Sequence, residues 1–266
     1  MDLDDAYANI PYIQGAETFI ANWPAEAALF RDHLAQSARA QLGIAYGSGP
    51  RQAFDLFLPD GPAQGLCVFV HGGYWLKFDR SFWSHFAAGP LGRGWAVAMP
   101  SYDLCPAVAI ADITRQIAAA ITAAAHQIDG PIALAGHSAG GHLVARAGAD
   151  GMLPADVAAR LQHILPISPV SDLRPLIRTS MNADFKLTPA SAAAESPALH
   201  PAPAAPVSIW VGASERPVFL DQARWLAAAW DAPLSVAKGK HHFDIIDAFA
   251  DPGSAMIRAL LSTDQT

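Results

Sequence analysis

The sequence predicts an α/β protein whose mostly parallel, doubly wound sheet of about eight strands carries helices on both faces. Three observations predict it. Short apolar runs bounded by Gly or Pro recur along the chain without charges, as strands covered on both faces do. Helical stretches separate these runs, and strand–helix–strand repetition builds right-handed crossovers. Finally, 52% of the 266 residues are hydrophobic and 15% are charged. That is enough apolar material for one large core, and it excludes a disordered chain.

Residues 1–40 hold Tyr7, Tyr12, Phe19, Trp23 and Phe30, an aromatic N-terminal extension expected to act as a lid. Residues 42–46 and 52–58 follow, the second alternating apolar and polar, and read as an antiparallel pair leading into the sheet. Buried strands are expected at 65–70, 95–99, 132–134, 164–167, 207–211 and 234–237. Helices are expected at 107–127, 139–149, 217–230 and 243–249. Residues 172–206 break the alternation as a cap-like excursion of short helices and a Pro- and Ala-rich linker. Both the extension and the excursion can reach the C-terminal edge of the sheet, where open α/β folds bind ligands. Residues 1–266 read as one domain without internal repeats.

With 17 Lys and Arg against 24 Asp and Glu, the formal charge is −7 and no basic stripe forms. Nucleic-acid binding and polybasic membrane attachment are thereby disfavoured. The opening Met1-Asp2-Leu3-Asp4-Asp5 is acidic where a signal peptide is cationic. The longest apolar candidate, 107–125, is broken by Asp112, Arg115 and Gln116, so no membrane span is expected. Cys67 and Cys105 stand in apolar surroundings, which points to the cytoplasm rather than to a disulfide framework.

The chemistry centres on Gly136-His137-Ser138-Ala139-Gly140, which follows one predicted strand directly and opens a helix. That context is a nucleophile elbow: glycines flank a tight turn that presents the Ser138 hydroxyl at a helix N-terminus. The segment His71-Gly72-Gly73-Tyr74-Trp75 ends another strand. Its Gly72 or Gly73 amide, together with that of Ala139, would supply an oxyanion hole, with His71 ordering the loop. A base is expected after the last strand, in Lys240-His241-His242-Phe243-Asp244. His242 is favoured there because a helix begins just after it, with His241 as the alternative. The acid is expected after the strand at 207–211, where Glu215 precedes Pro217, with Asp172 after an earlier strand as its competitor. Ten histidines include no His-Glu-x-x-His pattern, and neither metal nor cofactor is expected.

Taken together, His-Gly-Gly-Tyr-Trp, Gly-His-Ser-Ala-Gly, Glu-Arg-Pro-Val-Phe-Leu-Asp-Gln and His-His-Phe-Asp-Ile-Ile resemble the kynurenine formamidase (arylformamidase) branch of the α/β hydrolases. That branch is related to the hormone-sensitive-lipase-like esterases. The resemblance implies an α/β-hydrolase fold, Ser138 as nucleophile and His242 as base. The family acid is usually aspartate in Asp-x-Pro-x-Phe, whereas this chain has Glu215 there. The implied reaction is hydrolysis of N-formyl-L-kynurenine to formate and L-kynurenine through an acyl-enzyme, without a cofactor. Tyr74, Trp75, Phe82 and Trp83, beside the oxyanion loop, are expected to wall an aryl substrate. The competing readings are a short-chain carboxylesterase and a non-catalytic small-molecule-binding hydrolase fold, the latter disfavoured by the complete Ser, His and acid set. The partner is a small aryl formamide or ester, and the sequence is compatible with a homodimer.

Overall fold

The computed structural model describes residues 2–262. Eight strands form one sheet: β1 (Ala40–Ala45), β2 (Ala53–Phe57), β3 (Leu66–Val70), β4 (Ala96–Pro100), β5 (Ile132–His137), β6 (Leu161–Ile167), β7 (Ile209–Gly212) and β8 (Leu234–Ala237). Their order is β1-β2-β4-β3-β5-β6-β7-β8. β1 and β2 pair antiparallel, as do β2 and β4, and the remaining neighbours are parallel. From β3 the chain steps outward to β4 and then returns to lay β5 on the other side. The crevice of a doubly wound sheet opens at such a reversal, beyond the C-terminal ends of the two strands.

Strand alternation divides the core into two layers. Leu66, Val68 and Val70 of β3 pack to one face with the helix Ile110–Ala125. That helix turns Ile110, Ile113, Ile117, Ile121 and Ala124 inward, at spacings of three and four residues. Cys67 and Phe69 pack to the opposite face with Trp83, Phe86, Phe249 and Ile257.

The N-terminal extension is more than a cover. Its helix Ala16–Ala35 buries Trp23, Ala27 and Leu34, and Trp23 and Leu34 join the second layer of the core. The 243–249 segment, expected as a helix, instead forms the 3-10 turn Ile245–Ala250, followed by the helix Ala255–Leu261. Pro252 and Gly253 interrupt there, leaving too few residues for a continuous α-helix. The 172–206 excursion does consist of short helices, Arg174–Arg178, Asn182–Phe185, Pro189–Ala194 and Pro197–Leu199. Among the described residues, no helix is long and apolar enough to cross a membrane.

Candidate active site

β5 runs into the helix Ala139–Ala147 through a single corner residue, Ser138, at φ 57 and ψ −118. A side chain at that backbone position is strained, and strain of this kind is kept where function needs it. The corner is tight on both sides. A Cβ on Gly136 would lie 2.2 Å from the Gly140 carbonyl oxygen, and one on Gly140 would lie 2.0 Å from that of Val70. The Ser138 amide donates to the Ile167 carbonyl of β6 at 2.8 Å, tying the corner to the sheet.

His242 follows β8 and presents Nδ1 to Glu215 Oε2 at 2.6 Å. Since a carboxylate oxygen only accepts, the ring donates from Nδ1, leaving Nε2 as the acceptor. Glu215 Oε1 accepts from the Gly212 amide at 2.7 Å and from the Ser168 hydroxyl at 2.5 Å. Both residues are buried. The competing residues are occupied elsewhere. Asp172 is forked by Arg174, whose Nε and Nη2 donate at 3.0 and 2.6 Å to Oδ1 and Oδ2. His241 uses Nδ1 to accept from the Phe243 and Asp244 amides, each at 3.2 Å, and packs its ring on Phe19.

The loop after β3 closes over the corner: a Cβ on Gly72 would sit 3.0 Å from the Ser138 Cβ. Gly73, at φ 111, adopts a conformation that suits glycine alone. The amides of Gly72, Gly73 and Ala139 donate to no protein acceptor among the described residues. Beneath the loop, His71 stacks on Tyr102 at 4.3 Å and pairs Nδ1 with the Gly72 carbonyl at 2.7 Å. Burial lowers its pKa to about 4, so it is a neutral brace rather than a proton carrier at neutral pH.

Ser138, His242, Gly72 and Gly73 line one cavity of about 500 Å³ with mostly apolar walls. Residues 7–11 and Trp23 form part of its boundary, as do Ser180 and Met181 from the excursion. Of the four aromatics expected at the wall, Tyr74 and Trp83 are there. Trp75 and Phe82 are not. Trp75 is fully buried and packs against His142 and Phe185 at 5.1 and 5.6 Å, because the left-handed backbone at 74 and 75 turns successive rings in different directions. Phe82 packs at a tilt against Phe78, with ring centroids 5.1 Å apart. Ile20, Trp23, Met181 and His137 line the cavity without having been expected there. The extension and the excursion were expected to reach this edge and His137 belongs to the elbow motif, but none of the four was singled out as lining the cavity. Among the described residues, no group of three or more His, Cys, Asp or Glu could hold a metal ion.

The profile described as "Alpha/beta hydrolase family" matches residues 67–264. The chain belongs to the alpha/beta hydrolase family. Within that family it is similar to a kynurenine formamidase of Drosophila melanogaster, 31% identical over 239 residues that cover 82% of this chain and 79% of the relative. A Danio rerio kynurenine formamidase is 27% identical over 238 residues, covering 83% and 80%. A crystal structure from Silicibacter sp. TM1040, provisionally described as a thioesterase, matches this hydrolase with TM-score 0.96 and 56% identity over 98% of this chain and 100% of that one. Esterase B from Lactobacillus rhamnosis shares the hydrolase fold, with TM-score 0.64 at 18% identity over 85% and 90%.

Proposed function

We propose that this hydrolase removes the formyl group from N-formyl-L-kynurenine, using Ser138 as nucleophile, His242 as base and Glu215 as the acid that orients it. The observation that carries the reading is the 2.6 Å His242–Glu215 pair beside a strained serine corner in one apolar cavity. Similarity to two kynurenine formamidases over most of the chain supports the substrate.

In this mechanism, His242 Nε2 takes the Ser138 proton as Oγ attacks the formyl carbon. The carbonyl oxygen becomes an oxyanion and accepts from the amides of Gly72 or Gly73 and Ala139. His242 then protonates the aryl nitrogen, which leaves as the amine of kynurenine. Water, deprotonated by His242, releases formate from Ser138. Glu215 stabilises the imidazolium at both stages without itself taking the proton. Tyr74 and Trp83 supply the flat apolar wall that an aryl leaving group needs.

Similarity to the Silicibacter protein raises a thioesterase or short-chain esterase as the second reading. A coenzyme A thioester carries several phosphates, yet Lys77 is the single Lys or Arg among the described cavity residues. That charge pattern favours the formamide. The test compares kcat/KM for N-formylkynurenine, 4-nitrophenyl butyrate and an acyl-coenzyme A. A value above roughly 10⁴ M⁻¹s⁻¹ is expected for the formamide. Among simple esters, activity should fall steeply beyond about four acyl carbons, each misplaced methylene costing on the order of 1–3 kcal/mol. Good butyrate turnover without kynurenine release would leave the esterase reading in its place.

A further inference from the structure

His137 precedes the serine of the corner and is 4% exposed. Neither ring nitrogen makes a well-formed hydrogen bond, although both are shielded from solvent and the His242 main chain lies close enough to interact with the ring. An unpaired buried polar group costs stability that an apolar side chain of similar volume would not. What the ring meets is the histidine of the site. The His137 and His242 ring centroids are 4.7 Å apart with the planes inclined at 44°. Phe219, in the first turn of the helix Pro217–Trp230, approaches His242 at 4.3 Å and 43°. With Nδ1 tied to Glu215, the His242 ring is held at one edge and by two aromatic neighbours.

We propose that His137 is a positioning residue: with Phe219 it clamps the His242 ring, keeping Nε2 aligned on the Ser138 hydroxyl through the acyl-transfer cycle. The proposal rests on the Ser138–His242–Glu215 reading and is independent of which acyl substrate is used. Two physical consequences favour such a clamp. Small displacements of a base cost large factors in rate, because proton transfer demands near-contact geometry. Neutral aromatic neighbours also favour the imidazolium that forms during the reaction. His137 stays neutral beside it, since burial and the adjacent His242 hold its pKa well below the ordinary value.

The test uses the full chain with His137→Leu, His137→Gln and His137→Phe. Each is read by kcat and KM on the best substrate, by the rate of Ser138 labelling with a fluorophosphonate, and by Tm. The two ringless variants should lose about tenfold in kcat and in labelling rate, with KM within about twofold. His137→Phe should restore at least half of both and raise Tm, because it keeps the ring and removes the unpaired nitrogens. Two ringless variants keep the test readable if one of them folds poorly. Leu and Gln variants as fast as the natural protein would overturn the clamp, as would a Phe variant no better than they are. Ser138→Ala is the control. Continued labelling of that variant would instead remove the reading on which the clamp rests.

Discussion

At Ser138 the change to alanine removes one hydroxyl and leaves the φ 57 corner to a residue that still carries Cβ. Folding should survive with little change in Tm, while kcat falls by a factor on the order of 10³ or more. Retention of a tenth of the original turnover would refute the nucleophile assignment. Glu215 makes a sharper case. Three donors converge on its carboxylate: His242 Nδ1, the Gly212 amide and the Ser168 hydroxyl. Glu215→Gln must face one of them with its own NH₂. Both kcat, by a factor on the order of 10³, and stability, by about 1–3 kcal/mol, should fall together. Asp172→Asn should stay within about threefold in kcat, because that buried carboxylate serves Arg174 and Ser196 rather than a histidine. A silent Glu215→Gln beside a crippled Asp172→Asn would move the acid to the earlier strand.

At the scale of elements, the corner between β5 and the helix Ala139–Ala147 depends on backbone meeting backbone. A methyl on Gly140 would press into the carbonyl oxygens of Val70 and His71, at 2.0 and 2.6 Å, and neither can swing aside as a flexible side chain would. Gly140→Ala should therefore cost about 3 kcal/mol by denaturant titration, the upper end for overpacking, and an undisturbed midpoint would contradict the geometry. The N-terminal strap is held differently. Arg216 Nη2 donates to the Asp5 carboxylate at 2.8 Å, and its guanidinium lies 3.5 Å from the centre of the Tyr12 ring. Tyr12 also donates to Asp5, and the Tyr74 hydroxyl donates to the Tyr7 carbonyl at 2.7 Å. Exposed ion pairs and cation–π contacts of this kind are individually weak. Arg216→Ala should accordingly speed hydrogen exchange in residues 4–12 about tenfold while leaving β5 protected. Equal exchange in both proteins would mean that other contacts hold the strap.

Across the whole molecule, buried histidines set the acid limit of stability. Burial pushes His71 and His163 down to about 4, and His142 to about 3. Their folded-state values lie below the ordinary value of about 6.5, so the unfolded chain binds these protons first. The stability they contribute is complete above about 6.5 and is lost as pH falls from there through about 4. Tm should drop over that window, before most carboxylates protonate, and a Tm that stays flat from pH 7 to 4.5 would contradict it. Because His71 braces the oxyanion loop, activity should be lost irreversibly or with slow recovery only where this global transition begins, rather than at milder acidity.

Sequence alone determined the sheet, the serine corner and the glycine loop facing it. Each is a local demand: a strand needs an uncharged run, and a tight turn needs glycine where backbone crowds backbone, as at Gly136 and Gly140. The same pattern placed the two histidines after the last strand, although spacing left His241 and His242 both open. The long helix of the extension escaped notice, because its aromatics do not mark out one clean apolar stripe and Pro24 sits inside it. Tertiary structure decided which carboxylate meets which ring, since Glu215 and His242 lie 27 residues apart and Asp172 is diverted to a neighbour two residues away. It also decided that Tyr74 faces the cavity while Trp75 enters the core, and that residues at the chain start bind Arg216 across 211 positions. A side chain's direction depends on its backbone angles and on partners remote in sequence, and neither is written in the local pattern of apolar and polar residues.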